Sequence, residues 1–260
     1  MEHLQYILSA LSGILVGFSL GLVGGGGSIL AVPLMVYVVG VKSPHVAIGT
    51  SALAVAANAL AGLASHARAH NVNWRCGGAY ALAGVLGAFA GSSAGKAFDG
   101  QKLLFLFALL MVVVGALMFR QRGDAGVEGV VCNRDNFPKV SAFGFGTGAL
   151  SGFFGIGGGF LIVPGLVRST SMPVYRAIGT SLVAVSAFGL TTAFNYAASG
   201  LVDWPVAASF ISGGVIGSIA GTAASTRLSA QKGMLSTVFA GMIMLVAAYT
   251  LYRSWGALFA

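Results

Sequence analysis

Gly24-Gly25-Gly26-Gly27-Ser28 decides the fold of this chain, because Gly155-Ile156-Gly157-Gly158-Gly159 repeats it in the second half. Each run is followed by an apolar stretch that reaches a Val-Pro pair. The two runs lie about 130 residues apart in a chain of 260 residues. A period of that length, used only twice, predicts a duplicated unit of several helices rather than a solenoid.

The repeat continues beyond the glycine runs. Residues 47–51 and 177–181 both read Ala-Ile-Gly-Thr-Ser, and Trp74 recurs as Trp204. In this order the motifs resemble those of the TauE/SafE family of membrane anion exporters, and the resemblance extends from about Leu15 to Arg253. It implies a carrier that exports sulfite, sulfoacetate or a related organosulfur anion.

The composition is that of a multi-pass membrane protein. Hydrophobic residues make up 57% of the chain and charged residues 8%, whereas a soluble domain carries about 25% charged residues. The net charge of +8 comes from basic residues that stand singly at the ends of apolar runs, which is typical of membrane topology. We therefore expect the lipid bilayer, and not nucleic acid, as the partner of this charge.

The apolar runs predict an all-α polytopic fold with two repeats. There are five runs per half, at 5–23, 28–40, 45–66, 76–95 and 103–119, then at 140–155, 159–167, 174–197, 204–225 and 234–252. The runs 28–40 and 159–167 would be only ~20 Å and ~14 Å long as helices, too short for a hydrocarbon core of ~30 Å. Each half should therefore hold a glycine-broken helix pair, a hairpin or a discontinuous pair, followed by three transmembrane helices. The predicted units are a first repeat (1–120), a linker (121–139) and a second repeat (140–260).

The Lys and Arg residues select between two topologies. If each broken pair returns to its own side, ten of the 14 lie on one side; if each pair crosses once, each side holds seven. Positive residues favour cytoplasmic loops, so we prefer the returning pairs. Whether these are re-entrant hairpins or two tilted crossings stays open. The repeats are then inverted, the linker is cytoplasmic, and both termini are periplasmic in the cell inner (plasma) membrane.

The charge pattern favours an anionic substrate. All six acidic residues lie in or beside predicted loops, where they cannot serve a cation inside the membrane. Glycines in left-handed conformations can expose backbone N–H groups, and helices starting at Ser28 and Gly159 would point their positive ends at the same place. The predicted substrate site consists of Gly26, Gly27, Ser28, Gly157, Gly158 and Gly159, with Thr50, Ser51, Asn58, Thr180, Ser181 and Asn195 as uncharged donors. The alternative is that the glycines only permit close helix packing and the polar side chains bond neighbouring helices.

The other reactive side chains predict no catalytic function. Cys76 and Cys132 are expected to be free thiols near the cytosol, and His66 and His70 to be interfacial, with no third metal ligand nearby. No nucleophile and base can pair, so we predict no enzyme, no cofactor and no metal. An anion channel and a non-transporting scaffold or assembly factor remain as rival functions. The oligomeric state is open, a homodimer included.

Overall fold

The computed structural model describes residues 2–120, 132, 136–157, 159–227, 241 and 243–254. Across these ranges the chain is helical, without strands, as predicted. The helices are α1 (Glu2–Val23), a 3-10 helix (Gly24–Leu30), α2 (Ala31–Tyr37), α3 (Pro44–Arg68), α4 (Trp74–Ala97), α5 (Gly100–Arg120), α6 (Phe137–Phe154), α7 (Gly159–Thr170), α8 (Val174–Ala197) and α9 (Trp204–Arg227). Residues 243–254 form a further helical stretch, here called the C-terminal segment.

Four helices in the described part are long and apolar enough to cross a membrane. These spans are His3–Leu22, Pro44–Arg68, Arg176–Ala197 and Trp204–Ala224. Large apolar side chains on α4 and α9, such as Leu86 and Ile216, are exposed, as expected for surfaces that face lipid. The chain is therefore a multi-pass membrane protein.

Capping residues explain where several helices begin. The side-chain oxygen of Asn73 accepts the Cys76 N–H at 3.2 Å and so caps α4. Asp203 caps α9 in the same way, accepting the Val206 N–H at 3.1 Å. Asn73 and Asp203 are equivalent positions of the repeat, and Asn and Asp are both strong N-caps.

Matched glycine contacts hold the two halves together. Gly17 of α1 lies directly against Gly214 of α9, and Gly148 of α6 lies directly against Gly84 of α4. Neither Gly17 nor Gly148 has room for a Cβ atom. The second contact is the equivalent of the first with the two halves exchanged. Both are examples of close helix packing through small residues.

The same contacts give the helix directions. On α3, Thr50 and Asn58 meet Asp203 and Gly214 in turn, so α3 runs parallel to α9. Two glycines of α3 contact α8 in the reverse order, Gly49 with Tyr196 and Gly62 with Leu182, so α3 runs antiparallel to α8. Helix α1 runs in the same direction as α9, and α6 runs in the same direction as α4. Helices α1 and α6 therefore run in opposite directions, as inverted repeats require.

Both glycine-broken pairs turn back on themselves. Gly165 of α7 lies beside the Tyr80 hydroxyl and Thr147, a residue two turns before the end of α6, so α7 returns along α6. In the first half, Lys42 follows α2 and shares one surface depression with Gln5 of α1. Each pair is therefore a hairpin.

Two helix boundaries differ from the sequence prediction. Ser28 does not start a helix, because it lies inside the 3-10 helix and α2 begins at Ala31. Helix α6 begins at Phe137, inside the predicted linker 121–139, because Pro138 fits the first helical turn. Apart from 132 and 136, the linker before α6 lies outside the described residues, as does most of 228–242.

The prediction of free thiols is wrong. Cys76 and Cys132 form a disulfide with a Cα–Cα distance of 5.5 Å across a sequence separation of 56 residues. The fold brings Cys132 back to the first turn of α4. No local pattern in the sequence reveals such a long-range contact.

Candidate functional site

The second hairpin turns through left-handed glycines. Gly155 ends α6 with φ 68° and ψ 23°, and the N–H groups of Gly155 and Ile156 donate to Gly152 and Ser151, each at 3.2 Å. This is a Schellman motif, in which a glycine lets the chain leave the helix while the last carbonyls stay bonded. Gly157 follows with φ 66°, so the prediction of left-handed backbone is confirmed there.

Gly157 lies where the two halves meet. A Cβ atom at this position would stand 2.8 Å from Val55 Cγ1 of α3 and 3.5 Å from Val185 Cγ1 of α8. Val55 and Val185 are equivalent positions of the repeat. Gly157 is thus placed between α3 and α8, beside equivalent residues of the two halves. Gly158 lies outside the described residues.

Helix α7 begins directly after this turn, at Gly159 as predicted. Gly159 and Phe160 are both buried. The first N–H groups of any helix lack intrahelical acceptors and carry the positive end of its dipole. A buried set of donors therefore lies next to Gly157.

The first hairpin is built differently. Gly24 has φ 71° and packs against Ile178, as Gly155 packs against Ile48. Gly26, Gly27 and Ser28 then lie within the 3-10 helix. Gly27 has no left-handed φ and lies directly against the backbone of Ser19 and Leu20. The expectation of left-handed backbone at Gly27 is wrong, because this glycine serves close packing within its own hairpin.

The four predicted hydroxyls are buried and already bonded. Thr50 accepts the Asp203 N–H at 2.9 Å, and Thr180 accepts the Asn73 N–H at 3.0 Å. Both bonds join one half to the other, while Ser51 and Ser181 donate to carbonyls of their own helices at 3.0 and 2.7 Å. A threonine hydroxyl that accepts one bond keeps its proton for donation. Substrate binding by Thr50 and Thr180 stays a prediction.

The two predicted amides lie in different places. Asn58 is fully buried against Gly214 of α9, and neither its Nδ2 nor its Oδ1 atom has a hydrogen-bond partner in the protein. Asn195 lies near the end of α8, where its Oδ1 accepts from Lys96 Nζ at 2.8 Å and its Nδ2 donates to Ser92 at 2.6 Å. Asn195 therefore belongs to a polar cluster near the end of α8, and its binding of substrate stays a prediction.

The interior is polar in places but uncharged. Among the described residues the buried polar side chains are Ser, Thr, Asn and one His, with no Asp, Glu, Lys or Arg. The buried histidine is His66, whose Nε2 lies 3.4 Å from the Gly21 carbonyl oxygen. Its predicted interfacial position is wrong, because it packs against the last turn of α1. The equivalent position in the second half, Tyr196, is buried as well.

No group of three or more His, Cys, Asp or Glu in the described ranges could hold a metal ion. The buried polar residues instead provide uncharged hydrogen-bond donors, and the start of helix α7 lies between the two hairpins. The apolar spans make the chain a multi-pass membrane protein, and its family and relatives place it in the transporter class. The chain belongs to the family described as sulfite exporter TauE/SafE, which matches residues 9–250.

Curated relatives carry transporter names. The chain is 56% identical to a probable membrane transporter protein of Xylella fastidiosa strain 9a5c, over 96% of each chain. It is 24% identical to the probable membrane transporter protein YunE of Bacillus subtilis, over 88% of this chain and 91% of YunE. No solved structure matches it.

Proposed function

We propose that the protein is an inner-membrane secondary carrier that exports a small anion, sulfite or a related organosulfur anion. The observation that supports this most directly is the position of Gly157. It lies between Val55 and Val185 and precedes the buried first turn of α7. An anion placed there would be held by backbone N–H groups and by the positive end of α7.

An uncharged site suits export. Burying a full positive charge for the anion would be costly in the membrane, whereas backbone dipoles supply donors without it. An inside-negative potential of 100 mV drives each negative charge outward with about 2.3 kcal/mol, so export needs no coupled acid. The choice of sulfur anions rests on the description of the family.

The proposed topology has inverted repeats, a cytoplasmic linker and periplasmic termini. It is supported by the opposite directions of α1 and α6 and by the returning hairpins. Reporter fusions at Ala260 and near Gly126 test it, with a periplasmic signal expected at the first and a cytoplasmic signal at the second. A cytoplasmic C-terminus would overturn the inverted arrangement.

Proteoliposome flux tests the transport function. Sulfite, sulfate, sulfoacetate and acetate are offered in parallel under an imposed potential of either sign. We expect saturable flux of sulfur anions that reverses with the potential, and slower flux of acetate. Single-channel conductance would favour the channel, and the absence of flux for all four anions would favour a scaffold.

A further inference from the structure

The disulfide joins a buried sulfur to a more accessible one. Cys76 is fully buried in the first turn of α4, whereas Cys132 is only partly buried. A nucleophile in solution can therefore reach the Sγ atom of Cys132 more easily than that of Cys76. The Cys76 thiolate would be the leaving group in such an attack.

The position of Cys76 makes it a good leaving group. It lies in the N-terminal turn of α4, where its own N–H donates to the Asn73 side chain, and Arg75 precedes it in the chain. Helix N-termini and neighbouring cations stabilise thiolates. Disulfide exchange is faster when the departing thiol is the more acidic one.

The bond lies beside a contact between the halves. Asn73 donates its N–H to Thr180 at 3.0 Å, and a Cβ atom at Gly77 would stand 3.2 Å from side-chain atoms of Thr180 and Val183. These contacts attach the start of α4 to the start of α8. In the other half the position equivalent to Cys76 is the buried Val206, so the matching contact between Asp203 and Thr50 has no crosslink of this kind.

The Cys76–Cys132 disulfide lies on the positively charged face of the protein. Arg68 ends α3, while Arg75 and Arg176 lie in the first turns of α4 and α8. The contact of Asn73 with Thr180 places these helix ends together. This face is cytoplasmic in the proposed topology. Cytosolic disulfides are usually transient and redox-sensing or catalytic rather than structural.

We propose that the Cys76–Cys132 disulfide is a covalent sulfite site, an inference that rests on sulfite being a substrate of the proposed carrier. The sulfur lone pair of sulfite attacks Cys132 Sγ, forming a new S–S bond as the Cys76–Cys132 bond breaks. The products are an S-sulfonate on Cys132 and a Cys76 thiolate, which takes up one proton. Attack of this thiolate on the S-sulfonate reverses the reaction and releases sulfite without any oxidant.

This chemistry separates sulfite from the other candidate substrates. Sulfate and sulfoacetate carry no lone pair on sulfur and cannot attack a disulfide in this way. Cleavage frees the linker from the start of α4, beside the Asn73–Thr180 contact. The cytoplasmic concentration of sulfite would thus change a bond that lies next to the contact between the halves.

The test uses the full chain in detergent. The protein is treated with sulfite, sulfate or sulfoacetate, free thiols are alkylated, and peptides are mapped by mass spectrometry. We expect sulfite alone to add one SO3 group to Cys132 and to free one thiol at Cys76. Removing sulfite by desalting should restore the disulfide without added oxidant. An S-sulfonate on Cys76, or no adduct in a protein whose bond dithiothreitol reduces, would overturn the proposal; so would two free thiols in the untreated protein.

A second measurement separates this proposal from the transport function. Sulfoacetate flux into proteoliposomes is compared before and after sulfite treatment, for wild type and for Cys132→Ser. We expect treatment to change the wild-type flux and to leave the variant unchanged. Adduct formation without any flux would retain the covalent site and reject the carrier, whereas flux without an adduct would do the opposite.

Discussion

The two glycine hairpins occupy equivalent positions but differ in construction. In the first, a 3-10 helix leads into α2, which has seven residues. In the second, a Schellman turn and the left-handed Gly157 lead into α7, which has 12 residues and a buried start. The contacts at the two turns are equivalent: Gly24 packs against Ile178, and Gly155 packs against Ile48. The start of α2 therefore continues from a 3-10 helix, whereas the start of α7 follows a left-handed turn.

The long helices differ in a complementary way. Asn58 of α3 and Phe188 of α8 are equivalent, and each lies against a glycine of the adjacent helix. Phe188 also stacks on Tyr80 with ring centroids 6.4 Å apart, whereas the Asn58 amide has no protein partner. In the proposed site the first half would thus supply a free amide and the second half the helix start, which would make the site asymmetric although the repeat is symmetric.

The largest expected effect concerns the contacts that both halves share. Gly17→Ala and Gly148→Ala each drive a methyl group into backbone of the facing helix, and each should destabilise the protein by about 3 kcal/mol, the upper end of overpacking costs. Gly146→Ala is the control, because nothing lies within 4 Å of its Cβ position. Thermal unfolding in detergent measures all three. If one of the two packing variants is as stable as wild type and the other is not, the two glycine contacts are not equivalent.

Much of this fold could be predicted from the sequence. The period of the glycine runs and of Gly-Thr-Ser marked the repeat, and run length marked the short arms α2 and α7. The predicted runs 76–95 and 204–225 begin at or within two residues of the observed starts of α4 and α9, Trp74 and Trp204. Each of these features is recognised from a short local motif or from the length of an apolar run.

The site was predicted less well. Gly27 and Gly157 look alike in sequence, yet one serves packing and the other a turn, because the facing residues come from distant segments. The same holds for Asn58 and Asn195, and for the pairing of Cys76 with Cys132. Tertiary neighbours decide each of these roles.

The second prediction asks which hairpin binds the anion. Gly157→Ala should cost about 1–2 kcal/mol for its left-handed backbone and should abolish the rise in melting temperature that a bound anion produces. Gly27→Ala should lower stability through its contact with Ser19 and Leu20, while the folded fraction keeps the anion response. The measurement is thermal unfolding with and without sulfoacetate, which cannot attack the disulfide. A full anion response in Gly157→Ala would show that both glycines are packing elements.

The third prediction concerns the unpaired amide. Asn58→Leu keeps the branched shape of the side chain but removes two polar atoms that lack partners. The substrate-free protein should gain about 1–3 kcal/mol, since burial of unsatisfied polar groups is costly. Anion-dependent stabilisation should fall at the same time. A less stable variant with an intact anion response would assign Asn58 to a structural role.

The fourth prediction tests the symmetric bonds between the halves. Thr50→Val and Thr180→Val each remove the acceptor of one backbone N–H, that of Asp203 or Asn73. Each should cost about 1 kcal/mol, and the two melting temperatures should fall equally. Ser51→Ala is the control, since its hydroxyl bonds only its own helix. An unequal pair would indicate that one threonine has a further role, such as donation to the anion.

The smallest expected effect comes from making the second half more like the first. Asp203→Asn places at the start of α9 the residue type that Asn73 supplies at the start of α4, and Asn caps a helix as well as Asp. The backbone N–H that bonds Thr50 is untouched. Melting temperature and flux should therefore match wild type across the pH range, with superimposed pH profiles. If wild-type flux depends on pH and the variant loses that dependence while remaining folded, Asp203 carries a coupled proton. Export would then be driven by proton exchange, and the membrane potential would no longer suffice as its source of energy.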